Sequence, residues 1–135
     1  MRELDTGVSR IQGTRIASTA AAIDGIDAAA FPAGALVLRL AADEVFVTAA
    51  VSTDVVNDPH AIVEPDGGFV GAWVNAPEAL AILARHCEWE QPQQRPAFAQ
   101  GAVAGLAVKL WFEADRVLFV VSAPYAADLE LLLAG

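Results

Sequence analysis

The sequence predicts one α+β domain over residues 1–135, built from two β-α-β-β units. Their strands would form a mixed or antiparallel sheet with helices packed on it, with halves at about 1–56 and 67–135 that are either a pseudo-duplication or two hairpins converged on similar turn chemistry. Three observations lead there. Two pairs of segments alternate apolar and polar residues around short acidic turns, as hairpins do. A capped amphipathic stretch lies before the second pair. The two halves share wording, with "FPAGA" (31–35) ahead of the turn "ADEV" and "FAQGA" (98–102) ahead of the turn "ADRV".

In chain order, "SRIQGTRIA" reads as a strand and "AAIDGIDAAAF" as a helix-like stretch. "ALVLRL", "AADE" and "VFVTAAV" then read as a hairpin. Leu36, Leu38 and Leu40 share one face of its first strand, and Val45 and Val47 share one face of its second. "NDPHAIVEPDGG" (57–68) reads as a turn-rich loop between the halves. "GFVGAWV" is the strand that opens the second half.

The helix that follows is the best-marked element. Asn75 caps it, Glu78 completes a capping box and Pro77 sits in the first turn, where a missing N–H costs nothing. Helical spacing puts Ala76, Leu80, Leu83 and Cys87 on one buried face, widened by Ala79, Ile82 and His86, over residues 76–87. "EQPQQRP", with Pro92 and Pro96, is extended. "AVAGLAVKLWF", "EADR" and "VLFVVS" read as a second hairpin. Its first strand has Ala104, Leu106, Val108, Leu110 and Phe112 on one face, and Gly105, Ala107, Lys109 and Trp111 on the other. A closing helix spans 124–133, with Ser122 as cap and Tyr125, Leu129, Leu132 and Leu133 on its apolar face.

Composition narrows the function. Hydrophobic residues make up 56% and charged residues 19% of the chain, enough for a real core. The formal net charge is −9 and the eight Lys and Arg form no run, which argues against nucleic acid as a partner. No apolar segment approaches the ~18–20 residues that cross a bilayer, so no membrane partner is expected. The start "MRELDTGVSR" lacks an apolar signal core, and a single cysteine suits a reducing, cytoplasmic setting.

The residues that carry chemistry do not assemble into a familiar motif. "RHCEWE" (85–90) gathers His86, Cys87, Glu88, Trp89 and Glu90. Adjacent helical residues point about 100° apart, so His86 and Cys87 are no ready-made pair. Cys87 is expected as a buried core cysteine, with a nucleophilic or redox thiol as the alternative. His86 is expected as a packed or capping histidine near a helix end. A metal would need three or four ligands, and the one other histidine, His60, has Asp58, Glu64 and Asp66 nearby in a stretch that reads as turns. A Gly-Lys-Ser/Thr phosphate loop and a Gly-x-Ser-x-Gly elbow are both absent, and Ser9, Ser18, Ser52 and Ser122 have no evident base. The site prediction is therefore no catalytic and no metal residue. Trp73, Trp89 and Trp111 are candidates for lining a ligand or partner surface, and Trp111, Ala107 and Lys109 form a candidate interface.

The second half resembles the gamma subunit of heterotetrameric sarcosine oxidase, which belongs with the folate-binding domains of aminomethyltransferases. The matching stretches are "APEALAILARHCEWE", "RPAFAQG", "AVKLWFEADRVLFVV" and "SAPYAADLELLL". "LRLAADEVFVTAA" and "IVEPDGGFVGAWV" are similar to earlier parts of that pattern, so the resemblance runs over about 35–134. The helical segment that follows the family's first hairpin is reduced here to "VSTDVVNDPHA".

The resemblance implies an accessory subunit with no catalytic residue of its own, in a heteromeric oxidase or dehydrogenase acting on an N-methyl amine. Flavin, NAD and tetrahydrofolate would be held by partner subunits. The expected partners are larger flavoprotein subunits, or a second copy in a homodimer. The alternative is a stand-alone binder of folate or another one-carbon carrier, with the tryptophans stacking on a pteridine. Its weakness is the acidic net charge, which repels folate carboxylates. An enzyme using Cys87 is the third reading.

Overall fold

The structure, a computed structural model, describes residues 7–135. Its class is α+β, and among the described residues the chain forms seven β-strands and three α-helices. The chain divides into two compact units, residues 11–67 and residues 68–135 joined by 7–10.

In the first unit, β1 (Ser9–Ala17) leads to α1 (Ala20–Asp24), then β2 (Val37–Ala41) and β3 (Glu44–Val47). β3 pairs antiparallel with both β2 and β1. The expected eleven-residue helical stretch is only five residues of α-helix and a 3-10 turn at Ala28–Ala30. Thr19 caps the helix by accepting the Ala22 N–H, and Gly25 ends it. The Asp27 carboxylate then caps the 3-10 turn through the Ala29 N–H. Such side-chain to backbone bonds compete with continued helix. Ile16, Ile23, Val45, Val47 and Val56 form this unit's core.

The loop expected over 57–68 is half strand. β4 runs over Ile62–Asn75, fourteen residues, and carries Pro65. Pairing with its neighbours overrides the local turn signals. The β4–β7 register begins at Phe69↔Ser122, so Pro65 lies in the part of the strand that β7 does not pair.

The second unit continues from β4 into α2 (Ala76–His86), β5 (Ala97–Val103), β6 (Leu106–Phe112), β7 (Arg116–Ser122) and α3 (Ala126–Ala134). Its strands lie in the order β4-β7-β6-β5, with antiparallel pairing of β4 to β7, β7 to β6 and β6 to β5. β6 alternates as its sequence predicts, with Val108, Leu110 and Phe112 buried. The helix α2 packs against β7, and so does α3.

Two expectations about α2 need correction. Leu80 is 41% exposed, whereas Ala79, Ile82 and Leu83 are buried, so the stripe is rotated toward the residues expected at its margin. Cys87 is not in the helix but caps its end, its N–H donating to the Leu83 carbonyl at 2.9 Å, and it is half-buried. The cap half of the expected capping box is present, and Glu78 meets the side chain of Asn75 rather than its backbone N–H. The Glu78 N–H donates to Asn75 Oδ1 at 2.9 Å, and the Asn75 amide reaches Glu78 Oε1 at 3.3 Å.

"AVAGLAVKLWF" is not one strand. It folds back at Ala104-Gly105, so "FAQGA" lies within a strand, β5, and Ala104 sits in a turn rather than on the apolar face. Ala104 and Gly105 have φ of 52° and 79°, the signature of a two-residue hairpin with both central residues left-handed. Glycine takes this conformation freely, but alanine pays for its Cβ. Ala104→Asn is therefore expected to stabilise the protein by ~0.5–1 kcal/mol, read as a higher urea midpoint with an unchanged slope.

The closing helix is preceded by a 3-10 turn at Ala123–Tyr125. Ser122 makes no side-chain cap bond there, and Tyr125, expected on the apolar face, is 52% exposed. Leu129, Leu132 and Leu133 are buried as expected.

Candidate functional site

The strained hairpin tip of β5 and β6 lies against the end of α2, where the Ala104 N–H donates to the His86 carbonyl at 3.0 Å. Beside this contact is a half-open cavity of about 450 Å³. Its wall is mostly apolar, from Val103, Leu106, Leu131 and Leu132. His86, Tyr125 and Asp128 supply its polar side chains. None of these three side chains has a hydrogen-bond or ion-pair partner among the described residues. A largely apolar pocket with a few uncommitted polar groups is the usual form of a small-molecule or side-chain binding site. Backbone held in a rare conformation at its edge is the kind of strain that collects at such sites.

The "RHCEWE" segment is a brace. The Cys87 thiol donates to the Trp89 carbonyl at 3.4 Å, and the Trp89 indole N–H donates to the Ala102 carbonyl at 2.8 Å. The indole lies flat over Gly101 of β5, where a Cβ would come within 2.8 Å of it. The segment thus ties the end of α2 to the outer strand, and only His86 reaches the cavity. Gly101→Ala is expected to lift the indole, at a cost of ~1–3 kcal/mol for an overpacked site, with a change in tryptophan emission as the second readout.

The three tryptophans do not converge on one ligand position. Trp89 covers Gly101. Trp73 on β4 and Trp111 on β6 both pair with Leu118 of β7, one strand to either side. The Arg116 guanidinium stacks on Trp73, 3.6 Å from its centroid. In the candidate interface, Ala107 is exposed, while Lys109 and Trp111 are half-buried. Lys109 lies over the Phe69 ring at 5.2 Å. Leu118 and Val120, their β7 neighbours, are buried, which leaves the β5–β6 margin as the open part of this face.

Trp111 also belongs to a small polar network. Glu113 accepts from Arg116 Nε at 2.9 Å and from the Trp111 indole at 3.1 Å. The Arg116 hydrogen bond, helped by Trp111 and opposed by burial, holds the Glu113 carboxyl below its usual value. A depressed carboxyl favours folding above the unfolded value of about 4.3 and loses that contribution as pH falls through the folded one. Urea unfolding at neutral and acid pH should therefore show a shallower acid loss in Glu113→Gln than in the parent.

The His60 group is not gathered for a metal. Asp58 accepts from the Ser18 hydroxyl at 2.5 Å and from the His60 backbone N–H at 2.9 Å, and these bonds, Ser18 first, lower its pKa. Glu64 faces Arg15 at 3.4 Å. Among the described residues, no three His, Cys, Asp or Glu side chains are placed to hold a metal ion. No helix among them is long and apolar enough to cross a membrane.

Sequence reasoning missed the cavity because its wall is assembled from three separated segments. One signal was present: Ala-Gly between two alternating runs is a hairpin turn in small-residue form.

No protein-family model matches the chain, and no curated protein matches it.

Proposed function

We propose that the protein is a non-catalytic accessory subunit of a heteromeric oxidoreductase acting on N-methyl amines, of the sarcosine oxidase gamma type. The observation that carries this reading is the order of elements in residues 68–135. The resembling stretches from Gly68 onward fall on consecutive parts of one compact unit: strand, Asn75-capped helix, Cys87 at its end, Arg95-Pro96, Phe98 to Gly101 in β5, two further strands and a closing helix. Flavin, NAD and tetrahydrofolate would then sit in larger partner subunits, with the Ala107, Lys109 and Trp111 margin meeting one of them. The test is purification of the tagged chain from its native host at its natural level. A stoichiometric flavoprotein with amine-oxidising activity supports the reading, and recovery of the chain with no flavin absorbance defeats it. Trp111→Glu locates the contact, since a charge buried in an interface is costly. Normal association by a folded Trp111→Glu variant would place the contact elsewhere.

A second reading, a stand-alone binder of folate or another one-carbon carrier, is favoured by the cavity of about 450 Å³ with uncommitted Tyr125 and Asp128. A ring could stack on Tyr125 while an amine donates to Asp128. Calorimetric titration with tetrahydrofolate tests it, and absence of heat at near-millimolar ligand removes it.

We further propose that the halves repeat one β-α-β-β unit. In β1-α1-β2-β3 the last strand returns antiparallel beside the first, and in β4-α2-β6-β7 it does the same, with β5 as an addition.

A further inference from the structure

The helix α3 buries one apolar side in the core and carries a second apolar stripe on its solvent side, between exposed Asp128 and Glu130. Seven of its nine residues are Ala or Leu. Leu129, Leu132 and Leu133 fill the core side. On the opposite side Ala127, Leu131 and Ala134, spaced four and three apart, form an exposed stripe, with Leu131 75% exposed. A surface helix ordinarily carries polar residues along the middle of its outer side, where α3 has Ala127, Leu131 and Ala134 instead. Leu131 and Tyr125, which is 52% exposed, lie together at the rim of the cavity described above. Apolar surface collected in this way marks a contact site.

We infer that a second copy of this chain covers the stripe, with the two α3 helices packed antiparallel about a two-fold axis that passes next to Leu131. This goes beyond the accessory reading and does not rest on it. Self-complementarity is what favours a second copy. A two-fold contact requires one patch to hold both members of every pair, and this patch does. Ala127 and Ala134 flank Leu131 almost symmetrically, so an antiparallel partner places small residues opposite small ones and lets the helices approach closely. The charges match as well. Asp128, near the start of α3, has no ion-pair partner among the described residues. At the other end of the helix, Arg85 Nη2 donates to the Gly135 carbonyl at 3.2 Å. Antiparallel pairing centred on Leu131 brings each Asp128 beside the partner's Gly135 end, where the partner's guanidinium is held. Antiparallel helix dipoles add to this attraction. Leu131 of each copy then stands at the mouth of the other's cavity.

The experiment is sedimentation of the purified full chain at about 10 µM, a concentration at which a modest interface is populated. A dimer is expected. Leu131→Glu should weaken it by roughly 30-fold or more, the effect of a hot-spot residue, with the circular dichroism of the folded chain unchanged because the side chain is exposed. Leu131→Cys in a Cys87→Ser background should yield an interchain disulfide on mild oxidation, since the axis places this residue beside its own copy. Asp128→Arg should weaken the dimer, and adding Arg85→Asp should restore it. A monomeric parent protein overturns the inference, as does a dimer that Leu131→Glu leaves intact and Leu131→Cys does not cross-link. A monomer that loses a flavoprotein subunit on Leu131→Glu also overturns it, and assigns the stripe to that larger partner instead.

Discussion

Leu83→Ala is expected to destabilise the protein by ~2–5 kcal/mol, the range for a packed leucine that leaves a cavity. Leu80→Ala, three residues earlier, should cost under ~1 kcal/mol because little area returns to water. Leu83 is 0% exposed and belongs to the core that α2, α3 and the strands of the second unit share. Leu80 is 41% exposed. Urea unfolding of both variants checks the orientation of α2 directly. Equal losses would mean that the helix is rotated toward Leu80, and Cys87 would then have to be placed deeper than the half-buried cap it occupies.

Gly13→Ala should be among the most damaging single-methyl additions, at ~3 kcal/mol, the upper end for overpacking a filled site. Gly13 is buried in β1, and an added Cβ would come within 2.6 Å of Phe46 Cε1 while also meeting the Val47 carbonyl. Phe46 pairs with Arg15 and leans along the strand, so its ring covers the glycine as a side chain would. Phe46 is itself 0% exposed, and the ring has no free direction in which to move. The expected result is a large fall in the urea midpoint. A variant within ~0.5 kcal/mol of the parent, the usual range for surface substitutions, would show that the ring can swing away. Phe46→Leu combined with Gly13→Ala should recover part of the loss, since the shorter side chain vacates the space the methyl needs.

Local chemistry decided much of this fold before any packing. The chain from Asn75 to Glu78 carries its own cap, and the helix starts there. The alternation from Leu106 to Phe112 set which residues of β6 face inward, and the acidic turn at 113–115 closed the next hairpin, with Glu113 and Arg116 bonded across it. The strand at Ser9–Ala17 was legible as the segment ahead of the first helical stretch. These features depend on residues a few positions apart, so a linear reading contains them.

Tertiary structure decided the rest, wherever two local solutions were close in energy. The α2 stripe could be centred on Leu80 or on Ala79 and Ile82 by spacing alone. Contact with β7 selected the second, because the small Ala79 lets the helix approach the sheet. The turn-rich composition of 57–68 argued for a loop, and strand pairing drew residues from Ile62 onward into β4. "AVAGLAVKLWF" satisfied a two-residue period without a break, and the pairing of Phe98 with Trp111 is what makes its Ala104-Gly105 dipeptide a turn. The cavity was beyond the sequence for the same reason. His86, the Ala104 turn and Asp128 lie on three segments whose meeting depends on the sheet, and no local spacing encodes a meeting of that kind.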